Sequence, residues 1–355
     1  MSYRYPHFIK QNIAPSGAKK ILVCDAEGKK VVNIPLGGLT PPNTKPLYSF
    51  GLVSDIHLYD ESKSWITWNP QSKFDNALSF FEEQGCVMCI AAGDLTQTGF
   101  YNEKNAGDYF LDEASQFGFY KEICDKHTIP VYELAGNHES YYSQPITQNL
   151  DKWEAHTGTR ELSYTVSQGD DLFILLGQPR DLAVMSDEDL LWFRQALESN
   201  MDKRCFVFVH SYIEEDSGDP GDLRENSIFS DDFWGAANRI AFVDLIKAHP
   251  NIILFHGHSH MKFECQGLYS AMEQLTPEQE SYKAANYTDK NGFKSVHIPS
   301  LGRPRSIDLE AGTTPYVDGE AQGYVVDVYE DCIVLCGMDL IHNVPIPLGV
   351  YKITI

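Results

Sequence analysis

The feature that most constrains this 355-residue chain is a set of apolar runs that each stop abruptly at a polar residue. SFGLV ends on Ser54-Asp55, CVMCIAA on Gly93-Asp94, IPVYELA on Gly136-Asn137, CFVFV on His210, and NIILFH on Gly257-His258. DLFILLGQ at 171–178 is a sixth run of the same kind. Short continuous apolar runs suit strands buried on both faces. Between them lie segments of helical character at 74–85, 111–127, 186–200 and 234–250. Ser186 with Asp189 three residues on predicts a capping box for the third. The tail at 323–340 reads as a hairpin turning at Glu330-Asp331. Strands alternating with helices predict an α/β chain with a layered sheet core.

Residues 19–24 and 29–36 predict two short strands around the turn sequence DAEG. GGLTPPNTKP at 37–46 reads as a linker, since its Gly and Pro resist helix and central strand. The expected division is a small N-terminal β appendage with linker at 1–46 and one main domain at 47–355.

The net charge of -22 excludes whole function classes. Polynucleotide binding rests on Lys and Arg neutralising phosphates, so a nucleic-acid partner is not expected. An anionic membrane is disfavoured for the same reason. The N-terminus lacks a signal-peptide core, and no run reaches the length of a membrane span. Eight Cys sit mostly in apolar runs. The C-x-x-C of Cys86 and Cys89 falls inside a predicted strand, so it reads as a pair of buried thiols rather than a redox or zinc motif. Reduced thiols and the missing signals predict a cytoplasmic location.

The polar residues that end the runs carry the chemistry. They are Asp55 and His57 in SDIH, Asp94 in GDLTQTG, Asn137 and His138 in GNHE, His210 in VHSY, and His258 and His260 in GHSH. Loops after the carboxyl ends of sheet strands converge on one edge of an α/β sheet. Imidazole, carboxylate and amide oxygen suit borderline divalent or trivalent metals, and no thiolate is among them. Seven such donors are too many for one ion with open positions and fit two. Two ions about 3.5–4 Å apart can clamp a phosphate and activate water.

D-x-H, GD-x-x-x-x-G, GNH[ED], a lone strand-terminal His and GH-x-H occur here in one order, from 55 to 260. In this the chain resembles the calcineurin-like metallophosphoesterase family. The resemblance implies a layered β-sandwich core flanked by helices, and a phosphoester hydrolase with two metal ions (Mn, Fe or Zn). It implies that Asp55, His57 and His260 hold the first ion, that Asp94 bridges, and that Asn137, His210 and His258 hold the second. His138 is then no ligand but a general acid at the leaving group, or a phosphate-positioning group. In-line attack by metal-bound hydroxide on a small phosphodiester or phosphomonoester follows. The chain departs from the protein Ser/Thr phosphatase pattern GD-x-x-D-R-G, because GDLTQTG lacks its Arg. The alternative is a scaffold or binding protein that keeps the fold without the chemistry.

Other residues are weighed singly. Arg303 and Arg305 in PSLGRPRS are candidates for binding substrate phosphate. His256 reads as a core residue or as a partner orienting a ligand. His297 approaches from a later strand, and His7, His127, His156, His249 and His342 read as surface or capping residues. The acidic stretch 212–232 is a candidate lid that would repel polyanions, and 270–292 a second insertion. The appendage is similar to short β modules of phage-tail or cell-surface proteins. This implies a docking role toward a protein partner and leaves virion or surface association open.

Overall fold

The computed structural model describes residues 20–24, 30–35, 45–62, 66–98, 113–140, 146–148, 150–178, 185–211, 236–265, 287–290, 293–308 and 314–355. The expected appendage strands are present as β1 (Lys20–Cys24) and β2 (Lys30–Pro35), an antiparallel pair forming a two-stranded sheet of its own.

The apolar runs build two six-stranded sheets. In the first, β3 (Tyr48–Val53), β4 (Cys89–Ala92) and β5 (Val131–Leu134) are parallel, while β12 (Gln322–Val328), β13 (Cys332–Asp339) and β14 (Val344–Thr354) extend it antiparallel beyond β3. In the second, β7 (Asp171–Leu176), β8 (Cys205–Val209), β9 (Ile252–His256) and β11 (Phe293–His297) are parallel. Its edges are antiparallel: β6 (Ser163–Gln168) beside β7 and β10 (Tyr287–Lys290) beside β11.

Period-2 alternation explains why these runs carry no polar alternate. Phe50 and Leu52 point into the core between the sheets, with Ile90, Phe173, Phe206, Phe208, Phe255 and Val326. Phe50 meets Phe173 edge-on at 5.2 Å. Val53, the next residue along, faces helices instead, with Phe74, Phe81, Phe117, Tyr120 and Trp153. Gly51 lies directly under Phe81, where a Cβ would come within 2.5 Å of the ring carbon Cγ. That outer layer consists of α1 (Pro70–Glu83), α2 (Glu113–Lys126) and α3 (Leu150–Thr157). On the far side, α4 (Asp187–Glu198) and α5 (Ala236–Lys247) bring Phe193 and Phe242 against Ile174, Val207 and Leu254. The architecture is helices, sheet, sheet, helices. Emptying one such Phe site to Ala costs about 3–5 kcal/mol.

The capping box at Ser186 and Asp189 is present as expected. Helix α1 starts four residues before the expected Phe74, because Pro70 fits the first turn; Asn69 before it is left-handed and makes no side-chain cap. Helix α3 and strands β6 and β14 were not anticipated. Of the two readings for His127, surface or capping, the second fits: it follows α2, its N donates to Cys124 O (3.1 Å), and its ring lies between Asp75 (3.0 Å) and Glu82 (3.2 Å), tying α1 to the end of α2. Cys86 and Cys89 are buried free thiols, with the Cys89 thiol pushed up by burial. Among the described residues no helix is long and apolar enough to cross a membrane. The stretch 212–232 and most of 270–292 lie outside the described residues.

Candidate metal centre

The loops leaving β3, β4, β5, β8 and β9 meet at the carboxyl edge of the sandwich and are fastened to one another by backbone hydrogen bonds. Asp55 N donates to Gly93 O (3.0 Å), His57 N to Asp94 O (3.0 Å), and Gly257 N to His210 O (3.0 Å). His138 N donates to Asp94 Oδ1 (2.8 Å), and His258 N to Asp55 Oδ2 (3.0 Å). Approach this close needs glycine. A Cβ on Gly93 would stand 2.5 Å from His210 Nδ1, and one on Gly257 2.8 Å from Asp55 Oδ2.

Six of the seven expected donors, all but Asn137, fall into two groups. Asp55, His57, Asp94 and His260 each offer an atom within 4.8 Å of the others, and so do Asp94, His210 and His258. Asp94 belongs to both groups. His260 Nε2 is 3.1 Å from Asp55 Oδ1, and His210 Nε2 is 3.1 Å from Asp94 Oδ2. Two nitrogen pairs face each other, His57 Nε2 with His260 Nε2 at 3.0 Å and His210 Nε2 with His258 Nδ1 at 3.1 Å. The remote nitrogens of two rings are anchored to carbonyls: His210 Nδ1 to Ala92 O (2.9 Å) and His260 Nδ1 to Arg303 O (2.8 Å). An Nδ1–H that donates outward leaves the Nε2 lone pair turned inward, the orientation a metal ligand needs.

Three observations show that this donor set fits cations. Asp55 Oδ1, His57 Nδ1 and Asn137 Oδ1 are buried without a hydrogen-bond partner among the described residues. Asp55, His57, Asp94, His258 and His260 all have left-handed backbone, φ 50–74°. Such strain persists in non-glycine residues where the surroundings enforce it, commonly at functional sites. Two carboxyls and two imidazoles carry the protonation state of ligands. Burial opposes ionisation of Asp55 and Asp94, yet the facing imidazoles, His260 and His210 foremost, hold both carboxyls low. Burial pushes the His57 imidazole down and that of His258 to about 3, keeping them neutral. His210 departs from this: against burial, Asp94 and Asp55 raise its imidazole to about 10, so an ion bound there displaces a proton.

His138 stands apart from the donor groups. Its Nδ1 contacts Gln97 O at 2.5 Å, and its Nε2 lies 4.0 Å from Asp94 Oδ2. Its side chain is 18% exposed, against 0–3% for those of Asp55, His57, Asp94 and His210. Arg303 and Arg305 are placed by the loop after β11, which runs under GHSH: Arg305 N donates to His260 O (2.7 Å). His256 is buried in β9 beside His297, ring centroids 5.6 Å apart. His297 does reach the GHSH loop, but through Ser259 Oγ at 2.9 Å rather than as one of the grouped donors.

Sequence reasoning gave no role to several supports. Glu139 accepts from Thr96 N (2.9 Å) and Gly136 N (2.7 Å), locking the second loop to the third. Its place in GNHE was the available signal. Ser300 Oγ donates to Asp55 O (2.9 Å) and Trp68 Nε1 to His57 O (3.1 Å), and no local pattern marks either residue.

The family model for calcineurin-like phosphoesterases matches residues 48–262. No curated protein matches the chain. Among solved structures, a dimetal phosphatase from Danio rerio is similar at a TM-score of 0.55 and 15% identity, over 87% of this chain and 99% of that one. A purple acid phosphatase from yellow lupin seeds is similar at a TM-score of 0.53 and 13% identity, over 88% and 55%. GAP50, described as the anchor in the inner membrane complex of Plasmodium, is similar at a TM-score of 0.54 and 9% identity, over 88% and 89%. At these identities the likeness is one of fold.

Proposed function

The chain belongs to the calcineurin-like phosphoesterase family, and from that premise we propose that it hydrolyses a small phosphomonoester or phosphodiester at a centre of two divalent or trivalent metal ions. The observation that carries this reading is the meeting of two donor groups that share Asp94, on loops whose backbone is held left-handed. Asp55, His57 and His260 would hold one ion, and Asn137, His210 and His258 the other, with Asp94 between them. Bound there, the ions supply Lewis acidity toward the phosphate oxygens and lower the pKa of water.

The chain's own contribution to leaving-group departure falls to His138. Its imidazolium donates the Nε2 proton to the departing oxygen. What remains is the neutral Nδ1–H tautomer, the form that Gln97 O stabilises by accepting from Nδ1. The net charge of -22 favours small substrates over polynucleotides. We assign catalysis to 47–355 and protein docking to the appendage in 1–46, in a reducing compartment consistent with the free thiols. An anchor role is the competing reading, favoured by the likeness to GAP50; the undepleted donor set weighs against it.

Metal analysis of protein loaded with Mn2+ or Zn2+, beside a panel of aryl phosphate mono- and diesters, tests the proposal. The expected result is two ions per chain and turnover of at least one ester class. Absence of bound ion overturns the centre, and two ions without turnover favours the anchor.

A further inference from the structure

The two arginines beside the centre are in different situations. Arg305 is 6% exposed, its Nη2 donates to Tyr316 Oη at 2.6 Å, and its backbone pairs with Met261. It is a buttress of the loop. Arg303 is 22% exposed at the side chain and lies between two rings, its Cζ 4.3 Å from the Trp68 centroid and 4.0 Å from that of Tyr316. Among the described residues its guanidinium donates no hydrogen bond; Nε is buried without a partner, and the nearest carboxylate oxygen, Asp318 Oδ1, is 3.7 Å from it. Stacking fixes the plane of a guanidinium and leaves its N–H edge unused.

The backbone of Arg303 and both of its stacking partners belong to the centre's own wall. Arg303 O accepts from His260 Nδ1, Arg303 N donates to Ser300 Oγ (2.8 Å), and Ser300 Oγ in turn donates to Asp55 O. Trp68 donates to His57 O, and the Tyr316 ring meets the His260 ring at 5.8 Å. Buried Lys73 pins the same loop through Gly302 O (2.6 Å) and Asp318 O (2.7 Å). A cation stacked twice, with an unmatched Nε–H, beside a centre read as phosphate-binding suits two oxygens of one phosphate, to which guanidinium donates in pairs.

We propose that Arg303, stacked between Trp68 and Tyr316, is a substrate-binding residue that takes anionic phosphate oxygens, and that Arg305 is not. This deepens the phosphoesterase reading and rests on it. Arg303 supplies from the loop after β11 a cation that GDLTQTG lacks. The oxygens belong to the reacting group or to a second phosphate of the same substrate.

The test reads binding, so that it does not depend on turnover. Wild type, Arg303→Met and Arg303→Lys are loaded with Zn2+, checked for equal metal content and melting, and titrated calorimetrically with inorganic phosphate and pyrophosphate. Arg303→Met should bind roughly 10- to 100-fold more weakly, the range for losing a charge-assisted hydrogen-bond pair, and Arg303→Lys should recover part of the loss. Loss for both ligands assigns Arg303 to the reacting group. Loss confined to pyrophosphate assigns it to a second phosphate. Unchanged binding of both overturns the proposal while leaving the phosphoesterase reading intact. Phosphate binding through Arg303 in a protein that hydrolyses nothing does the reverse.

Discussion

At the amino ends of the strands, Asp171 of β7 accepts from Arg204 Nε (2.8 Å), Arg204 Nη2 (2.5 Å) and Tyr48 Oη (2.5 Å), while Arg204 Nη1 donates to Tyr329 O (2.6 Å). At the opposite, carboxyl edge, Asp55 and Asp94 face imidazoles. The carboxylates of both clusters are buried. In the first, charge is balanced and hydrogen bonds join residues of both sheets, so it works as a staple. In the second, two carboxylates share a pocket and three polar atoms have no partner among the described residues. A third solution appears at Glu133, 3% exposed, which accepts from Tyr120 Oη at 2.8 Å and has no ion pair among the described residues. Burial pushes its carboxyl up to about 8, so it keeps its proton at neutrality. Pairing with Arg, holding a proton and waiting for a metal are three ways to bury a carboxylate. Of these, waiting for a metal leaves the site open to a ligand.

This contrast can be broken by exchanging its parts. Asp94→Asn should reduce turnover by more than the roughly 10²- to 10³-fold that losing one preorganised contact costs. Metal content after Zn2+ loading should fall with it, and unchanged content would show that Asp94 is not the shared donor. Arg204→Met should do the opposite. It leaves Asp171 buried and unpaired, which costs about 3–5 kcal/mol by denaturant titration, with metal content unchanged. If stability holds, the staple reading is wrong.

His138→Ala should lower turnover by about 10²-fold while metal content stays at the wild-type level. The deficit should shrink for esters with acidic leaving groups, and an equal deficit for all esters would assign His138 to phosphate positioning instead. Glu133 gives a pH-dependent effect. Its folded pKa is raised, so its stabilisation is complete below the unfolded value near 4.5 and is lost as pH rises through about 8. Wild-type stability should fall across that window by on the order of 5 kcal/mol relative to Glu133→Gln. Parallel curves for the two proteins would mean that Glu133 is ionised in the fold. Smallest of all, Ser186→Ala should remove the capping box of α4 at a cost of about 1 kcal/mol.

What could be read from the sequence follows from where information is local. The runs that became β3, β4, β7, β8 and β9 were legible because burial on both faces removes the polar alternate. Strand β6 was not, since SYTVSQ is an edge strand with exposed Thr165 and Ser167. Strand β14 was hidden by Pro345 and Pro347, tolerated there because it borders only β13. Helix α3 is eight residues long with Trp153 as its anchor, too short to show a period. In the site, the donors were legible because each ends its own strand. Their supports were not: Trp68 reaches His57 O and Ser300 reaches Asp55 O across contacts that no spacing encodes. The difference between Arg303 and Arg305 was equally invisible, because it depends on which guanidinium meets Tyr316 Oη.

The left-handed backbone at Asp55, His57, Asp94, His258 and His260 has a consequence for anyone who evolves this protein. Each such position stores roughly 1–3 kcal/mol that glycine would release. A library selected only for survival on heating would therefore drift toward glycine at these five sites. Its fittest members would be hardier proteins with no donors left, and the drift would be invisible unless every round also demanded bound metal.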